Sequence, residues 1–312
     1  MTNYTFNYII TIHNKENLIA DVLSGIKKSA SNSSKIYPVL DGCTDSTEKI
    51  IDQFQKENPE LFISKIYEND VHELKAINTA LRNISHEDEY QINIILQDDV
   101  VLNDSSLELH LESLFRKFNN KLGVISLRHG GDLSSFLLKK ESCIFPIKNY
   151  VETIFGHNVS GNLRDLEEGC FVFKEVAIKS PICVPSYVIK KIGLVDEIYE
   201  PWDDIAYCYQ ALKNGFKNGV FSIQFISEEG WGSMRTKKQQ SKHDDIVLKN
   251  LKIFREKNKD SLSDFFKSRF IDKKIYHIWN TDKYLVSNTN YISYFKQCFR
   301  RLLYRTKMFF KK

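Results

Sequence analysis

Paired cysteines are the first thing this 312-residue chain lacks: Cys43, Cys143, Cys170, Cys183, Cys208 and Cys298 are scattered without a CxxC spacing. That absence argues against a disulfide framework or a zinc knuckle and for a reducing compartment. The opening residues MTNYTFNYII have neither a charged leader nor a long apolar stretch, so a cytoplasmic location is the expectation. No run approaches the ~18–20 apolar residues that a spanning helix needs, which leaves peripheral contact as the expected membrane role. Internal repeats and low-complexity linkers are missing as well. At 42% hydrophobic and 27% charged residues the chain reads as globular, neither disordered nor fibrous. Its length suits one large α/β domain with additions or two modest domains.

Acidic residues are missing from the tail. From Tyr291 onward there are seven Lys and Arg and no Asp or Glu, against a formal charge of +4 for the whole chain, so the remainder is net negative. Phe295, Phe299, Leu302, Leu303 and Phe310 are interleaved with these cations. Such a helix suits an anionic membrane surface, at about 1 kcal/mol per cation near the headgroups. It equally suits a subunit contact or a helix packed on the protein with a wet basic face. Nucleic acid is not an expected partner, because no binding module accompanies the charge.

The first half alternates short β-branched runs with helical patterns. Strands are expected at 8–12, 35–40, 62–67 and 92–96, and helices at 17–28, 47–54 and 74–84. Strands that are apolar on both faces and separated by helices indicate a parallel sheet covered on both sides. Ligands of such sheets collect beyond the carboxyl ends of the strands. From about 129 to 179 the pattern weakens and reads as loops with an insertion. Regularity returns with SPICVPSYVIKKIGLVDEIYEPWDDIAYCYQALKNGF, a short strand, a small helix and a helix from near Asp203 to Asn214-Gly215. Residues 241–257 and the final twenty read as helices.

Two strand ends carry acids. In VLDGCTDSTEKII, Asp45 and Glu48 have the spacing of a capping box and Gly42 turns the chain. That leaves Asp41, which can accept a hydrogen bond from the ring N–H of a pyrimidine, with Gly42 permitting close approach. In INIILQDDVVLND the apolar run meets Asp98 and Asp99 directly. Adjacent carboxylates repel and resist desolvation, so they require a cation, basic partners or solvent. Hard oxygen ligands beside a polyanion suit Mg2+ or Mn2+; a solvated surface turn is the alternative.

The ordered stretches IITIHNKENLIADVLSGI, VLDGCTDSTEKII, ENDVHELKAINTALR, IILQDDVVL and ICVPSYVIKKIGLVDEIYEPWDDIAYCYQALKNGF resemble family 2 glycosyltransferases of the GT-A fold over roughly residues 6–257. The resemblance implies an α/β fold with a mixed, mainly parallel sheet, helices on both faces and a C-terminal helical extension. It divides the chain into a catalytic domain at 1–240, with a nucleotide-sugar half to about 127 and an acceptor half from 128, and an extension at 241–312. It further implies an inverting, Mn2+- or Mg2+-dependent transfer from a nucleotide-diphosphate sugar, UDP-sugar favoured, to a saccharide or lipid-linked acceptor, as in surface polysaccharide assembly. By position, Thr11, His13 and Asp41 would border the nucleobase, Asp98 the ribose or metal waters, and Asp99 the metal, with Asp204 as catalytic base. Asp203, Glu228, Glu229, Trp231 and Arg235 are secondary candidates, the last two on a flap around two glycines. Gln97 replaces a commoner acid, Ala206 stands where the family has a later acid, and a Glu occupies the neighbourhood of the usual metal-binding His. A helix N-terminus stabilised by its acids explains Asp203 and Asp204 without catalysis. Trp202 reads as core or as an acceptor wall, His129 as an acceptor contact or, more commonly for a lone loop histidine, as solvated, and His243 as a group within reach of the metal from the far side. A non-catalytic nucleotide-sugar-binding or scaffold protein and a nucleotidyltransferase are the alternatives; TIHNKENL has no glycine to cradle a triphosphate, which counts against the latter.

Overall fold

The computed structural model describes residues 4–119, 121–133, 154–155, 166–200, 203–227, 246, 249–268, 272, 274–279 and 284–286. An eleven-stranded mixed sheet organises the chain. Strand β1 (Thr5–Ile12) lies between β2 (Lys35–Asp41) and β5 (Gln91–Gln97), parallel to both, with Thr11 level with Val39 and Gln97. Next to β5 comes β12 (Ile182–Pro185), antiparallel, and then β7 (Leu122–Ser126), which is parallel to β13 (Lys217–Phe221). These pairings bring the carboxyl ends of β1, β2, β5, β7 and β13 to a single rim.

The apolar runs are continuous because each strand feeds two cores. From β1, Phe6, Tyr8, Ile10 and Ile12 face one core with Leu23 and Ile26 of α1 (Ile19–Ser29) and Leu111 and Phe115 of α4 (Leu107–Lys117). Ile9 faces the other with Leu74 and Ile77 of α3 (Glu73–Asn83) and Ile205 and Tyr209 of α6 (Asp203–Lys213). Period-two alternation of side chains on a sheet covered on both sides produces this division. Beneath the sheet Glu108 is fully engaged: it accepts from Tyr8 Oη at 2.9 Å, Ser34 Oγ at 2.6 Å and the Ser31 amide at 2.9 Å. Asn7 Nδ2 donates to Asn93 Oδ1 at 2.9 Å.

Three local expectations are revised. The strand expected at 62–67 is split into β3 (Phe62–Ile63) and β4 (Ile66–Glu68), both beside β2. The region read as loops contains β8 (His129–Gly131), β10 (Cys170–Phe173) and β11 (Val176–Ile178); these strands are too short to establish a period. Only half of the capping box forms: Asp45 Oδ1 accepts from the Thr47 amide at 3.0 Å, while Glu48 turns elsewhere. Asp45 Oδ2 accepts from the Glu16 amide at 3.0 Å, and Glu16 Oε2 accepts from the Ser46 amide at 2.9 Å, so a distant acid closes the N-terminus of α2 (Thr47–Glu57). Glu48 instead pairs with Lys65 at 2.7 Å.

Beyond α6, residues 249–257 and Lys259–Ser268 are helical. The chain then rejoins the sheet as β15 (Lys274–His277), antiparallel to β10, and β16 (Tyr284–Val286). Among the described residues no helix is long and apolar enough to cross a membrane. The tail at 291–312 lies outside them.

Candidate active site

The rim of the sheet gathers the strand-end acids. Thr11 is buried near the end of β1, and His13 follows in the turn beyond. The His13 amide donates to Asp98 Oδ2 at 2.9 Å, and its ring Nδ1 lies 2.6 Å from the Asp41 carbonyl oxygen. A carbonyl only accepts, so Nδ1 carries the proton. His13 thus links the ends of β2 and β5.

Asp41 is nearly buried, and its carboxylate holds the loop that enters α3. Oδ1 accepts from the Val71 amide at 2.7 Å and Oδ2 from the His72 amide at 3.1 Å. That loop is tight, with Asp70 and His72 at φ 55° and 70° and Gly42 at φ 63° against it. A Cβ on Gly42 would lie 2.9 Å from Asp70 Cβ, so glycine is required there. Asp41 thereby positions Glu73, the first residue of α3. Each Asp41 oxygen keeps a lone pair beyond its amide bond.

Asp98 and Asp99 occupy the turn between β5 and β6 (Val100–Leu102). Burial first, and then Asp99 and Glu73, push the Asp98 carboxyl up to about 6, against the His13 amide and the Lys15 ammonium 3.7 Å away. On Asp99, Oδ2 accepts from Ser227 Oγ at 3.2 Å, through the β14 strand (Phe225–Ser227) paired with β6. Its other oxygen, Oδ1, is buried with no hydrogen-bond partner among the described residues. A buried carboxylate oxygen left unbonded is costly, and a hard divalent cation is the ligand that such an oxygen fits. Arg128 faces the same acid: burial lowers its pKa and Asp99 opposes that shift.

Beside Glu73 is a buried ammonium. Lys179, just after β11, lies 2.6 Å from Asp203 Oδ2 and 3.1 Å from Glu73 Oε2, and its amide donates to Asp204 Oδ2 at 3.3 Å. Burial works against the charge of Lys179, yet Asp203 and Glu73 hold its pKa well above the ordinary lysine value. Asp204 is driven well above the usual carboxyl range by burial, then by Asp203, with Lys179 opposing. Asp203 Oδ1 and Glu73 Oε1 have no hydrogen-bond partner among the described residues. Glu73 reaches Asp203 and Asp204 through Lys179 and also raises the pKa of Asp98, so the two carboxylate pairs lie together at the rim as one group, the crevice acids.

Glu73, Lys179, Arg128 and Lys15 were not expected from the sequence. Lys179 alone left a signal, a lone charge between the apolar run VAI and Pro181. His129 is not the solvated loop histidine expected: it begins β8, and burial with Arg128 beside it lowers its pKa to about 4. Its imidazole is therefore neutral at pH 7. Glu228, Glu229, Trp231, Arg235, Trp202 and His243 fall outside the described residues.

The profile of Glycosyl transferase family 2 matches residues 8–179, more than half of the chain. The protein belongs to that family. S. aureus TarS 1-349, solved with UDP-GlcNAc, aligns with this family 2 chain at TM-score 0.53 and 15% identity, covering 78% of this chain and 64% of that one. The mannosyltransferase PcManGT from Pyrobaculum calidifontis, solved with GDP-Man and Mn2+, aligns at TM-score 0.51 and 13% identity, covering 78% and 62%. The chain spans less than two thirds of either protein. At these identities the likeness establishes the fold, the GT-A α/β sheet. No curated protein matches the sequence.

The raised pKa of Asp98 has a measurable consequence. A carboxyl whose folded pKa is about 6 against an ordinary 3.8 favours the folded state when protonated, so that contribution is present below pH 4 and lost as pH rises through 6. Asp98→Asn removes the buried charge. Without divalent ions it is expected to be about 1–3 kcal/mol more stable than the parent at pH 7.5, the gap closing by pH 4. Urea denaturation at the two pH values checks this, and a gap independent of pH contradicts it.

Proposed function

We propose that this family 2 protein is an inverting, divalent-metal-dependent glycosyltransferase acting on a nucleoside-diphosphate sugar. The reading is supported by one observation: Asp98-Asp99 and Asp203-Asp204, remote in sequence, are linked through Glu73 and Lys179, and one Asp99 oxygen there has no hydrogen bond among the described residues. Asp99, with Asp98 beside it, would hold Mn2+ or Mg2+, and the bound ion supplies charge neutralisation for the departing diphosphate. Asp204 accepts the proton of the incoming hydroxyl. Burial and Asp203 raise its pKa, which makes the ionised carboxylate a stronger base than an exposed one. A single base facing an oxocarbenium-like centre goes with inversion.

In this reading Asp41, Thr11 and His13 border the base, with the free lone pairs of Asp41 available to a pyrimidine N–H, and UDP-sugar is the favoured donor. The fold relatives support the donor class, since one holds GDP-Man with Mn2+ and another UDP-GlcNAc. Residues 1–127 form the nucleotide-sugar half, 128–240 the acceptor half and 241–312 an extension. A saccharide or lipid-linked saccharide is the proposed acceptor, as in cell-surface polysaccharide assembly on the cytoplasmic face of the membrane. The basic residues of 291–312 would contact anionic lipid there.

Thermal melting against a nucleotide-sugar panel with and without Mn2+ tests the donor class. A true donor at 100 times its Kd stabilises by about 2.7 kcal/mol, and Asp99→Asn is expected to abolish the Mn2+-dependent part. A panel without any shift, or an Asp99→Asn enzyme that turns over normally, overturns the reading.

A further inference from the structure

On the same rim as the crevice but farther along the sheet, where β10 meets β15, three side chains of different chemistry meet. A tight turn, Glu167-Glu168-Gly169-Cys170, leads into β10, with the Cys170 amide donating to the Glu167 carbonyl oxygen at 3.1 Å. Gly169 has φ +77°, and a Cβ there would lie 2.5 Å from the Trp279 ring. The turn sets the Glu167 side chain beside the buried Cys170 thiol. From the antiparallel neighbour, His277 is level with Cys170, and its Nδ1 is 3.2 Å from Cys170 Sγ. One ligand atom from each of Glu167, Cys170 and His277 lies within 4.8 Å of the other two.

A thiol-to-imidazole hydrogen bond joins two of these groups, and the exposed Glu167 carboxylate stands beside them. A cation uses all three. With Zn–S of about 2.3 Å and Zn–N of about 2.0 Å, ligand atoms across a tetrahedral angle are about 3.5 Å apart, against 3.2 Å between Cys170 Sγ and His277 Nδ1. The frame around the site is also fixed. The Ile278 amide donates to the Gly169 carbonyl oxygen at 2.8 Å, and Trp279 covers the turn and packs on His110, with ring centroids 4.6 Å apart. His110 Nδ1 in turn bonds Asp104 Oδ2 at 2.8 Å.

We propose that Glu167, Cys170 and His277 form a site for a thiophilic divalent cation, Zn2+ by its donor set, with water as fourth ligand. On binding, the Cys170 thiol proton leaves to solvent and the sulfur–metal bond forms. The cation ties β15 to the turn before β10. Sulfur and nitrogen donors separate this site from the all-oxygen acids of the crevice, which suit Mn2+ or Mg2+.

The test uses Co2+ alone on the chelator-treated full chain carrying Asp99→Asn, so that the crevice acids do not compete. About one equivalent is expected to produce a near-ultraviolet thiolate-to-cobalt charge-transfer band with tetrahedral visible bands, displaced by Zn2+. Cys170→Ser should abolish the charge-transfer band. His277→Gln and Glu167→Gln should weaken cobalt affinity by at least the roughly 10–100-fold that loss of an outer-shell partner costs. A parent titration without a thiolate band overturns the proposal whether or not any variant folds. So does a band that persists with unchanged affinity in Cys170→Ser or His277→Gln. None of these readouts needs donor or acceptor, so the result is independent of transferase activity.

Discussion

Asp204→Asn is expected to lower kcat by about 10²–10⁴ while leaving the fold and donor binding in place. The loss corresponds to about 3–5 kcal/mol of transition-state stabilisation. Asparagine has the same shape, and its Oδ1 can keep the 3.3 Å contact from the Lys179 amide. Burial and Asp203 favour the uncharged carboxyl at this position, so the neutral substitute should not cost stability. Steady-state kinetics separates the effects: Asp204→Asn loses kcat but retains the Mn2+-dependent donor shift in melting, whereas Asp99→Asn loses the shift itself. An Asp204→Asn enzyme with parental kcat removes Asp204 as the base and leaves the helix N-terminus as its whole explanation. The parent's rate should also fall on the acid side at a pH above the ordinary carboxyl range. The base must be ionised to act, and its folded pKa is raised.

Lys179→Met is expected to cost about 3–5 kcal/mol of stability, the scale for breaking a buried pair by removing one partner. Lys179 is the cation for Asp203 at 2.6 Å and for Glu73 at 3.1 Å, and both acids already have an oxygen without a hydrogen bond among the described residues. Without the ammonium these carboxylates must protonate or remain charged in a poorly solvated place. The sign for activity follows from the same pair. Lys179 opposes the upward shift of Asp204, so its loss raises that pKa further and moves the acid limb of the pH–rate profile to higher pH. The double variant with Asp203→Asn should recover part of the stability, because fewer charges are left unpaired. Urea denaturation of both variants and the pH profile of the single one are the measurements. A single variant as stable as the parent would show that the crevice acids do not depend on Lys179.

Much of the frame was legible because the strands are buried on both faces. Runs such as YIITI and INIIL are rich in β-branched residues, and each feeds Ile9 or Ile95 to one core and apolar neighbours to the other. The acids at the ends of β2 and β5 were legible for the same reason, since a charge that ends a buried run contrasts with everything before it. The short strands of 129–178 gave no such contrast. Glu16, which closes α2, lies outside the local window within which capping patterns are sought, and Glu48 occupied the expected position without making the bond.

Cysteine spacing shows the limit most plainly. No CxxC occurs, yet Cys170 meets Glu167 across a turn and His277 across a strand pair. The sequence by itself determined the strand–helix alternation of the first half, the two-sided core and which strand ends carry acids. Those features arise from side-chain periodicity and desolvation along a single segment. Only the tertiary structure decided that Glu73 links two carboxylate pairs, that Lys179 neutralises Asp203 and that one Asp99 oxygen is left without a hydrogen bond. Charge pairing and proton affinity depend on distance and local burial, and the chain acquires both only when remote segments pack together.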